Sequence, residues 1–145
     1  MSFNVISNSF KDGDYLSKLK WSGAPEGTKS FAVTLYDPDA PTGSGFWHWV
    51  IVNIPANVSE LPDGAGSKGG KLPTGALQTR TDFGEPGYGG PCPPQGDHPH
   101  RYLFTVFAVK IDTLDVKAET SAAVVGFNLH FNTLARADIM GLFKR

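Results

Sequence analysis

The protein has 145 residues, of which 13 are Lys or Arg and 14 are Asp or Glu, so its formal net charge is −1 with neutral histidines. Because nucleic-acid binders and polybasic membrane-surface proteins concentrate positive charge, this near balance argues against both classes. Hydrophobic residues make up 40% and charged residues 19%, a globular composition, and the length predicts a single domain over residues 1–145.

Cysteine content and apolar patterning predict the compartment. Cys92 is the only cysteine, so no intrachain disulfide can form and a reducing compartment is permitted. The chain does not open with a basic segment followed by an apolar one, and it has no long apolar window of transmembrane length. We therefore expect a cytoplasmic protein without stable membrane insertion.

The first two segments with a strong pattern are strands. Ser30 to Tyr36 alternates with a period of two, and the pattern ends at Asp37-Pro38 because proline cannot donate to a ladder. Trp47 to Ile54 is apolar on both faces, which predicts a central strand covered on both sides. Its even positions, from His48 to Ile54, are expected on one face.

A long loop and a third strand follow. Asp63 to Gly75 contains five glycines and is interpreted as a surface loop. It matches the dinucleotide-binding pattern G-x-G-x-x-G by letters alone, since neither a buried parallel strand nor a helix adjoins it. Arg101 to Val109 predicts a strand with Tyr102 on one face and Arg101 on the other.

The C-terminal part is expected to be helical. In Ser121 to Ala137, apolar residues recur at spacings of three and four and define a helical face: Val124, Phe127, Phe131 and Leu134. Thr120 or Ser121 can cap this helix, and Ile139 to Phe143 predicts a short strand. The whole pattern indicates a mainly β protein, a sandwich or Greek-key sheet with a peripheral helix.

Three segments place polar residues at strand ends, where sheet proteins commonly build pockets. They are Asp37 to Pro41, His48, and the stretch from Tyr88 to Tyr102. In the third segment, glycines and prolines form a stiff loop whose backbone N–H groups could bind an anion. Because His100 and Tyr102 are two residues apart in a strand, they should point to the same side. The sequence thus indicates a small oxyanion pocket.

The same residues resemble a known family. Asp37-Pro38-Asp39-Ala40-Pro41, then His48-Trp49, then Gly87 to Pro94 running into His100-Arg101-Tyr102, is similar to the phosphatidylethanolamine-binding proteins, also called Raf kinase inhibitor proteins, especially their bacterial and archaeal branch. The resemblance covers about Trp21 to Phe143. It implies an antiparallel Greek-key β-sheet core with a second small sheet and a C-terminal helix. The segment between Asp14 and Trp21 is shorter than the family pattern.

The resemblance also implies a pocket for phosphate, phosphoethanolamine or a small carboxylate. Carried over by position, its ligand-binding residues are Asp37, His48, Gly90, Pro93, His100 and Tyr102. Residues expected beside the pocket or in structural roles are Asp39, Tyr88, Cys92 and Arg101. We expect no catalytic residue, no metal and no cofactor.

Simpler interpretations exist for several of these residues. His48 alone would be a core histidine bonded to a backbone carbonyl. Asp37 and Asp39 could close an Asx-turn, and we assign Asp39 a structural role and Asp37 a place in the pocket. Arg101, which faces away from Tyr102, is expected in a buried ion pair with Asp39.

A metal centre is a weaker hypothesis. The set His98, His100, Cys92 and Asp37 contains metal-ligating side chains. It is disfavoured because Pro99 interrupts the strand geometry and no established zinc motif accompanies it. Cys92 as a nucleophile would need an adjacent base, and a small residue in a ligand loop is the preferred interpretation.

The sequence therefore predicts a non-enzymatic protein that binds a small anion or phosphorylated head group and regulates or inhibits kinases or proteases. One alternative is a hydrolase using His48, His100 and Asp37. Another is an interaction protein in which the pocket is incidental. A protein partner and a homodimer are open hypotheses, and nucleic acid is not an expected partner.

Overall fold

The computed structural model describes residues 2–7 and 18–143. Its elements in chain order are β1 (Asn4–Ser7), β2 (Leu19–Ser22), β3 (Ser30–Asp37), β4 (Phe46–Pro55), β5 (Glu60–Leu61), β6 (Leu77–Gln78), β7 (His100–Val109), α1 (Ala122–Asn132) and β8 (Thr133–Phe143). The shortened segment after Asp14 begins outside these residues. Within the described ranges, no helix has both the length and the apolar character needed to cross a bilayer.

The strands form two antiparallel sheets. The smaller sheet has the order β1-β2-β5 and the larger has the order β6-β4-β3-β7-β8. The predicted mainly β fold with a C-terminal helix is therefore confirmed. The loop predicted over 63–75 is also confirmed, since it runs through successive turns outside both sheets.

The larger sheet is buried on both faces. On one face, alternate residues such as Val33, Ile51 and Phe104 pack against the smaller sheet through Leu19 and Trp21. On the other face, a second cluster joins the sheet to α1: Ala32, Val50, Val52, Val109, Leu114, Ala122, Val125 and Leu129. The prediction that β4 is covered on both sides is confirmed, because its residues contribute to both clusters.

Two irregularities in β4 change the expected parity. Leu35 pairs with Trp49 and Tyr36 with Trp47, so His48 is the extra residue of a β-bulge. A second register shift precedes Ile54, next to Asn53 with φ of 60°. The single face expected for the even positions from His48 to Ile54 is therefore wrong. Ile54 packs with Ile51 on the small-sheet side, while Val50 and Val52 face α1.

The helix differs from the prediction in length and orientation. Ser121 caps it by accepting a hydrogen bond from the Val124 N–H at 3.3 Å, but the helix ends at Asn132 instead of Ala137. From Thr133 onward the residues pair with β7. The hydrogen bonds of this strand pairing outweigh the helical spacing of the apolar residues. The residues buried under the helix are Ala122, Val125 and Leu129. The apolar face defined by Val124, Phe127, Phe131 and Leu134 is exposed.

Candidate functional site

A small cavity lies where β3 ends and β4 and β7 begin. Its volume is about 260 Å³, and the lining residues are Asp37, Ala40, Pro41, Thr42, Phe46, His48, Phe83, Cys92, Pro94 and His100. The antiparallel pairing of β3 with both β4 and β7 brings these strand ends together at one edge. The predicted convergence of the three polar segments is thus confirmed in space.

His48 reaches the cavity from the bulge in β4 and is 4% exposed. Its Nδ1 lies 3.1 Å from the carbonyl oxygens of both Gly89 and Gly90. Because carbonyls only accept, Nδ1 carries the proton and Nε2 is the nitrogen left for a ligand. Burial lowers the pKa of His48, although the charge of Asp37 partly opposes this, so the ring is neutral at pH 7. His48 is thus a buried histidine bonded to backbone carbonyls, and its ring also lines the cavity.

His100 lines the opposite wall in a different electrostatic state. Its Nδ1 lies 2.8 Å from Asp37 Oδ2 and its Nε2 lies 2.7 Å from Asp97 Oδ2. Carboxylates are acceptors, so both ring nitrogens donate and the ring is an imidazolium. Burial disfavours that charge, but the hydrogen bonds to Asp37 and Asp97 outweigh it and raise the pKa of His100.

Asp37 is the buried anchor of this wall, with a side chain only 3% exposed. Its Oδ1 accepts the Asp39 N–H at 2.7 Å, which is the Asx-turn considered for this sequence. Asp37 therefore closes the turn after β3 and at the same time holds His100. One oxygen of the Asp37 carboxylate closes the turn, and the other accepts the hydrogen bond from His100 at the cavity.

Asp97 was not selected from the sequence, although it stands three residues before His100. A turn in which the Asp97 N–H donates to the Pro94 carbonyl carries it back toward the strand start. The hydrogen bond to His100 lowers the pKa of Asp97. An acidic residue at this spacing from a pocket histidine was the available signal.

Tyr102 lies below the cavity. Its ring is fully buried and sits 5.3 Å from the His48 ring and 6.4 Å from the His100 ring, centroid to centroid. The predicted shared orientation of His100 and Tyr102 is confirmed. Burial, with the nearby charge of Asp37, raises the pKa of the Tyr102 phenol.

The remaining predicted residues divide into a loop behind the cavity and positions outside it. Gly90 and Pro93 are buried in the loop, and Cys92 is exposed at the cavity wall. Tyr88 instead packs edge-on against Trp49, with ring centroids 5.3 Å apart, and lines a separate groove.

Arg101 and Asp39 form the predicted pair, but not a buried one. Arg101 Nη2 and Nε lie 2.9 and 3.0 Å from the Asp39 carboxylate oxygens, and the Arg101 N–H also donates to Asp39 at 2.8 Å. The Arg101 side chain is 53% exposed, so the expectation of a buried ion pair is wrong. Arg101 faces the outer side of β7, where solvent and not a second layer meets it. The hydrogen bonds from Arg101 lower the pKa of Asp39 to about 2.

The apolar wall of the cavity was not predicted. Phe83 comes from the loop after β6, and its ring lies 4.9 Å from Phe46 and 5.2 Å from His48. Gly89 makes this arrangement possible, because a Cβ at that position would overlap the Phe83 ring. Nothing in the local sequence around Phe83 marks it as a pocket residue, since it depends on a contact formed only by the fold.

Comparison with known proteins agrees with this architecture. The model of the phosphatidylethanolamine-binding protein family matches residues 6–144. The chain belongs to the phosphatidylethanolamine-binding protein family. It is 57% identical to the Escherichia coli UPF0098 protein YbhB over 142 residues, which covers 97% of this chain and 89% of that protein. An archaeal UPF0098 protein of Methanothermobacter thermautotrophicus is 41% identical over 137 residues, covering 92% of this chain and 86% of the relative.

Solved structures give the same result. The crystal structure of Escherichia coli YbcL, described as a new member of the mammalian PEBP family, superposes with a TM-score of 0.93 at 50% sequence identity and covers 99% of this chain and 98% of that one. A putative homologue from Chlamydia trachomatis superposes with a TM-score of 0.82 at 26% identity, with the same coverage of 99% and 98%. Family membership supports a binding-protein role, and the fold is that of the family.

Proposed function

We propose that this protein binds a small anionic ligand, a phosphorylated head group such as phosphoethanolamine, in the cavity lined by His48. The single observation that carries the proposal is the hydrogen bonding of the His48 ring. Its Nδ1 is held by the carbonyls of Gly89 and Gly90, so the ring is fixed and Nε2 is the nitrogen offered to a ligand. Fixed donors and acceptors in a buried wall are the ordinary means of orienting a polar ligand.

The dimensions of the cavity support a head group and not a whole lipid. A volume of about 260 Å³ corresponds to about nine water molecules at about 30 Å³ each. Much of the remaining lining is apolar and is formed by Pro41, Phe46, Phe83 and Pro94. They can cover the short carbon chain of a head group while its charged ends meet the polar wall.

The charges around the cavity favour a zwitterion over a simple anion. Asp37 and Asp97 each carry a negative charge against the single positive charge of His100, which leaves this wall net negative. An ammonium group fits beside these carboxylates, and a phosphate fits at His48 across the cavity. We therefore expect phosphoethanolamine to bind more tightly than inorganic phosphate.

Binding at His48 requires a proton. A neutral ring with hydrogen on Nδ1 can only accept at Nε2, so it binds an anion after taking up a proton or when the ligand supplies one. A phosphomonoester supplies one readily, because its second pKa is about 6. Ligand affinity should therefore depend on pH through the protonation of His48.

An NMR titration of the protein with phosphoethanolamine, phosphate and acetate tests the proposal. For ligands of this size we expect dissociation constants between about 10 μM and a few mM, with shifts at His48, Phe83 and Cys92. His48→Gln should weaken binding, and His130→Gln, on the remote helix, should not. Absence of shifts at the cavity residues at tens of millimolar ligand would refute the proposed site.

The hydrolase alternative receives less support from this geometry. Both nitrogens of His100 are engaged by carboxylates, so His48 is the remaining ring that could act as a base. Turnover of a phosphoester or small ester that is lost in His48→Gln would establish it in place of simple binding.

A second candidate function is contact with another protein. The exposed apolar face of α1, with Phe127 at 66% and Phe131 at 60% exposure, favours such a contact. The family resemblance adds the proposal that the partner is a kinase or protease in the cytoplasm, and a second copy of this chain is the other candidate. Sedimentation velocity on the wild type and Phe127→Ser separates the homodimer from the monomer, and inhibition assays with purified kinases and proteases test the regulatory role.

A further inference from the structure

Three metal-ligating side chains meet at the rim of the cavity. One ligand atom from each of Asp97, His98 and His100 lies within 4.8 Å of the others. The set weighed in the sequence analysis has Cys92 and Asp37 in place of Asp97, and it is disfavoured there because Pro99 interrupts the strand geometry. In the structure the His98 and His100 ring centroids are 5.1 Å apart, and each ring contacts one oxygen of the Asp97 carboxylate.

The ligand atoms lie close enough together to converge on one ion. Asp97 Oδ2 lies 2.7 Å from His100 Nε2, and Asp97 Oδ1 lies 3.0 Å from His98 Nδ1. With metal–ligand bonds of about 2.0–2.1 Å, tetrahedral ligands lie about 3.3 Å from one another. Both contacts must therefore lengthen to admit an ion, the Asp97–His100 contact more than the Asp97–His98 contact, and each contact uses a different oxygen of Asp97.

A carboxylate behind the site supplies the orientation that metal-binding histidines usually have. Asp37 Oδ2 lies 2.8 Å from the Nδ1 of His100, on the far side of the ring from Asp97. Metal binding would release the Nε2 proton of His100 to solvent, and a histidine whose Nδ1–H still donates to a carboxylate then presents Nε2 to the metal as a stronger ligand. Asp37 is itself fixed by the Asp39 N–H at 2.7 Å, so this support is rigid.

The position of the cluster allows an ion to enter from solvent. The side chain of His98 is 67% exposed and that of Asp97 is 32% exposed, whereas His100 is fully buried. Three protein ligands leave a fourth coordination position open, as in zinc sites that also bind water or a ligand. Two imidazoles and one carboxylate suit Zn²⁺ or a similar transition metal, because Ca²⁺ and Mg²⁺ prefer oxygen ligands throughout.

We propose that Asp97, His98 and His100 bind one divalent transition-metal ion, with Zn²⁺ the best match, at the edge of the His48 cavity. The site is built from one buried histidine that is oriented by Asp37 and two ligands that solvent can reach. The metal and the ammonium group of the proposed head group would share the Asp97 carboxylate, so metal binding is tested in the absence of that ligand.

His98 distinguishes this proposal from a purely structural role for Asp97. If Asp97 serves only to hold His100, the structure needs no second histidine, and the exposed His98 ring could be removed without effect. If the three residues form a metal site, removal of His98 takes away one of three protein ligands. His130 offers a matched control, because it is an exposed histidine on α1.

The test is isothermal titration of EDTA-treated, dialysed protein with Zn²⁺, together with Co²⁺ titration followed by visible absorption. We expect one ion per chain and Co²⁺ bands of tetrahedral intensity. His98→Ala should weaken binding at least about tenfold, and Asp97→Asn should do the same. His130→Ala and Cys92→Ser should bind as the wild type does.

Three results would overturn the proposal. They are the absence of saturable binding at millimolar Zn²⁺, equal affinity of the wild type and His98→Ala, or loss of binding in Cys92→Ser. Because His98 is exposed, His98→Ala should fold, and an unchanged circular dichroism spectrum and melting temperature verify this before the titration is interpreted.

Discussion

His48 and His100 line the same cavity from the two strands that flank β3, yet they are in opposite electrostatic states. His48 contacts backbone carbonyls and is neutral, whereas His100 lies between two carboxylates and is charged. Both are buried, so burial does not decide the difference. The groups at the ring nitrogens decide it, because a carboxylate stabilises an imidazolium far more than a carbonyl does. A pair of histidines in one pocket therefore need not share one role.

The largest expected effect is on stability and concerns the charged wall of the cavity, which Asp37 and His100 form. Asp37→Ala removes the buried counter-charge of His100, and losing one partner of a buried pair typically costs about 3–5 kcal/mol of unfolding free energy. Asp39→Ala is the matched control in the same turn, where the Arg101 partner is exposed and the change should be small. Urea denaturation of both variants measures the difference. Equal midpoints would show that His100 is not held as a buried imidazolium.

The neutral wall of the cavity, which His48 forms, is tested by measuring ligand affinity as a function of pH. Burial lowers the pKa of His48, so the ring must gain a proton to bind an anion. Proton uptake on binding means that acetate affinity rises as pH falls from about 8 to about 6, by at most tenfold per pH unit for one proton. Calorimetric titration at several pH values measures this slope, and His48→Gln should abolish it. A flat profile in the wild type would mean that His48 does not supply the proton.

Phe83 covers the neutral wall and should affect the ligand more than the fold. Its ring is 52% exposed and lies against His48. Phe83→Ala is expected to weaken phosphoethanolamine binding about two- to tenfold, which corresponds to about 0.4–1.4 kcal/mol. Phe131→Ala, on the exposed face of α1, is the control for loss of a surface ring. If both variants bind like the wild type, the cavity wall at Phe83 does not contact the ligand.

The smallest expected effect is at the exposed pair outside the cavity. Because Arg101 is half exposed, Arg101→Met should change the denaturation midpoint only slightly and leave ligand binding intact. The folded-state pKa of Asp39 is about 2, below its usual value. Its contribution to stability is therefore present above about pH 4 and is lost as pH falls toward 2.

A double-mutant cycle of Arg101→Met with Asp39→Asn measures the coupling in this pair directly. A small but non-additive term is expected. A large loss of stability in Arg101→Met alone would contradict this expectation and would support the buried ion pair that the sequence predicted.

The sequence was sufficient to predict the residues that repeat a simple period or form a compact motif. Alternation in Ser30 to Tyr36 and in Arg101 to Val109 corresponds to β3 and β7 nearly residue for residue. The Asp-Pro-Asp-Ala-Pro and His-Arg-Tyr motifs identified the cavity, because strand ends that carry polar residues meet where antiparallel neighbours pair.

The features that could not be predicted depend on long-range contacts. The bulge that turns His48 toward the loop at Gly89 is set by pairing with β3, and strict alternation has no signal for it. The end of α1 at Asn132 is set by pairing of the next residues with β7. Which helix face is buried depends on the partner it meets, and here the smaller residues Ala122 and Val125 face the sheet.

The most direct test of the two-state account of the histidines is ¹⁵N–¹H NMR of the imidazole rings at about pH 7, in metal-free protein with and without phosphoethanolamine. The account predicts that both His100 nitrogens are protonated throughout. It predicts that free His48 carries hydrogen only on Nδ1, and that the ligand shifts Nε2 of His48 while His130 stays unchanged. A protonated His48 in the free protein, or a ligand response confined to His100, would contradict it.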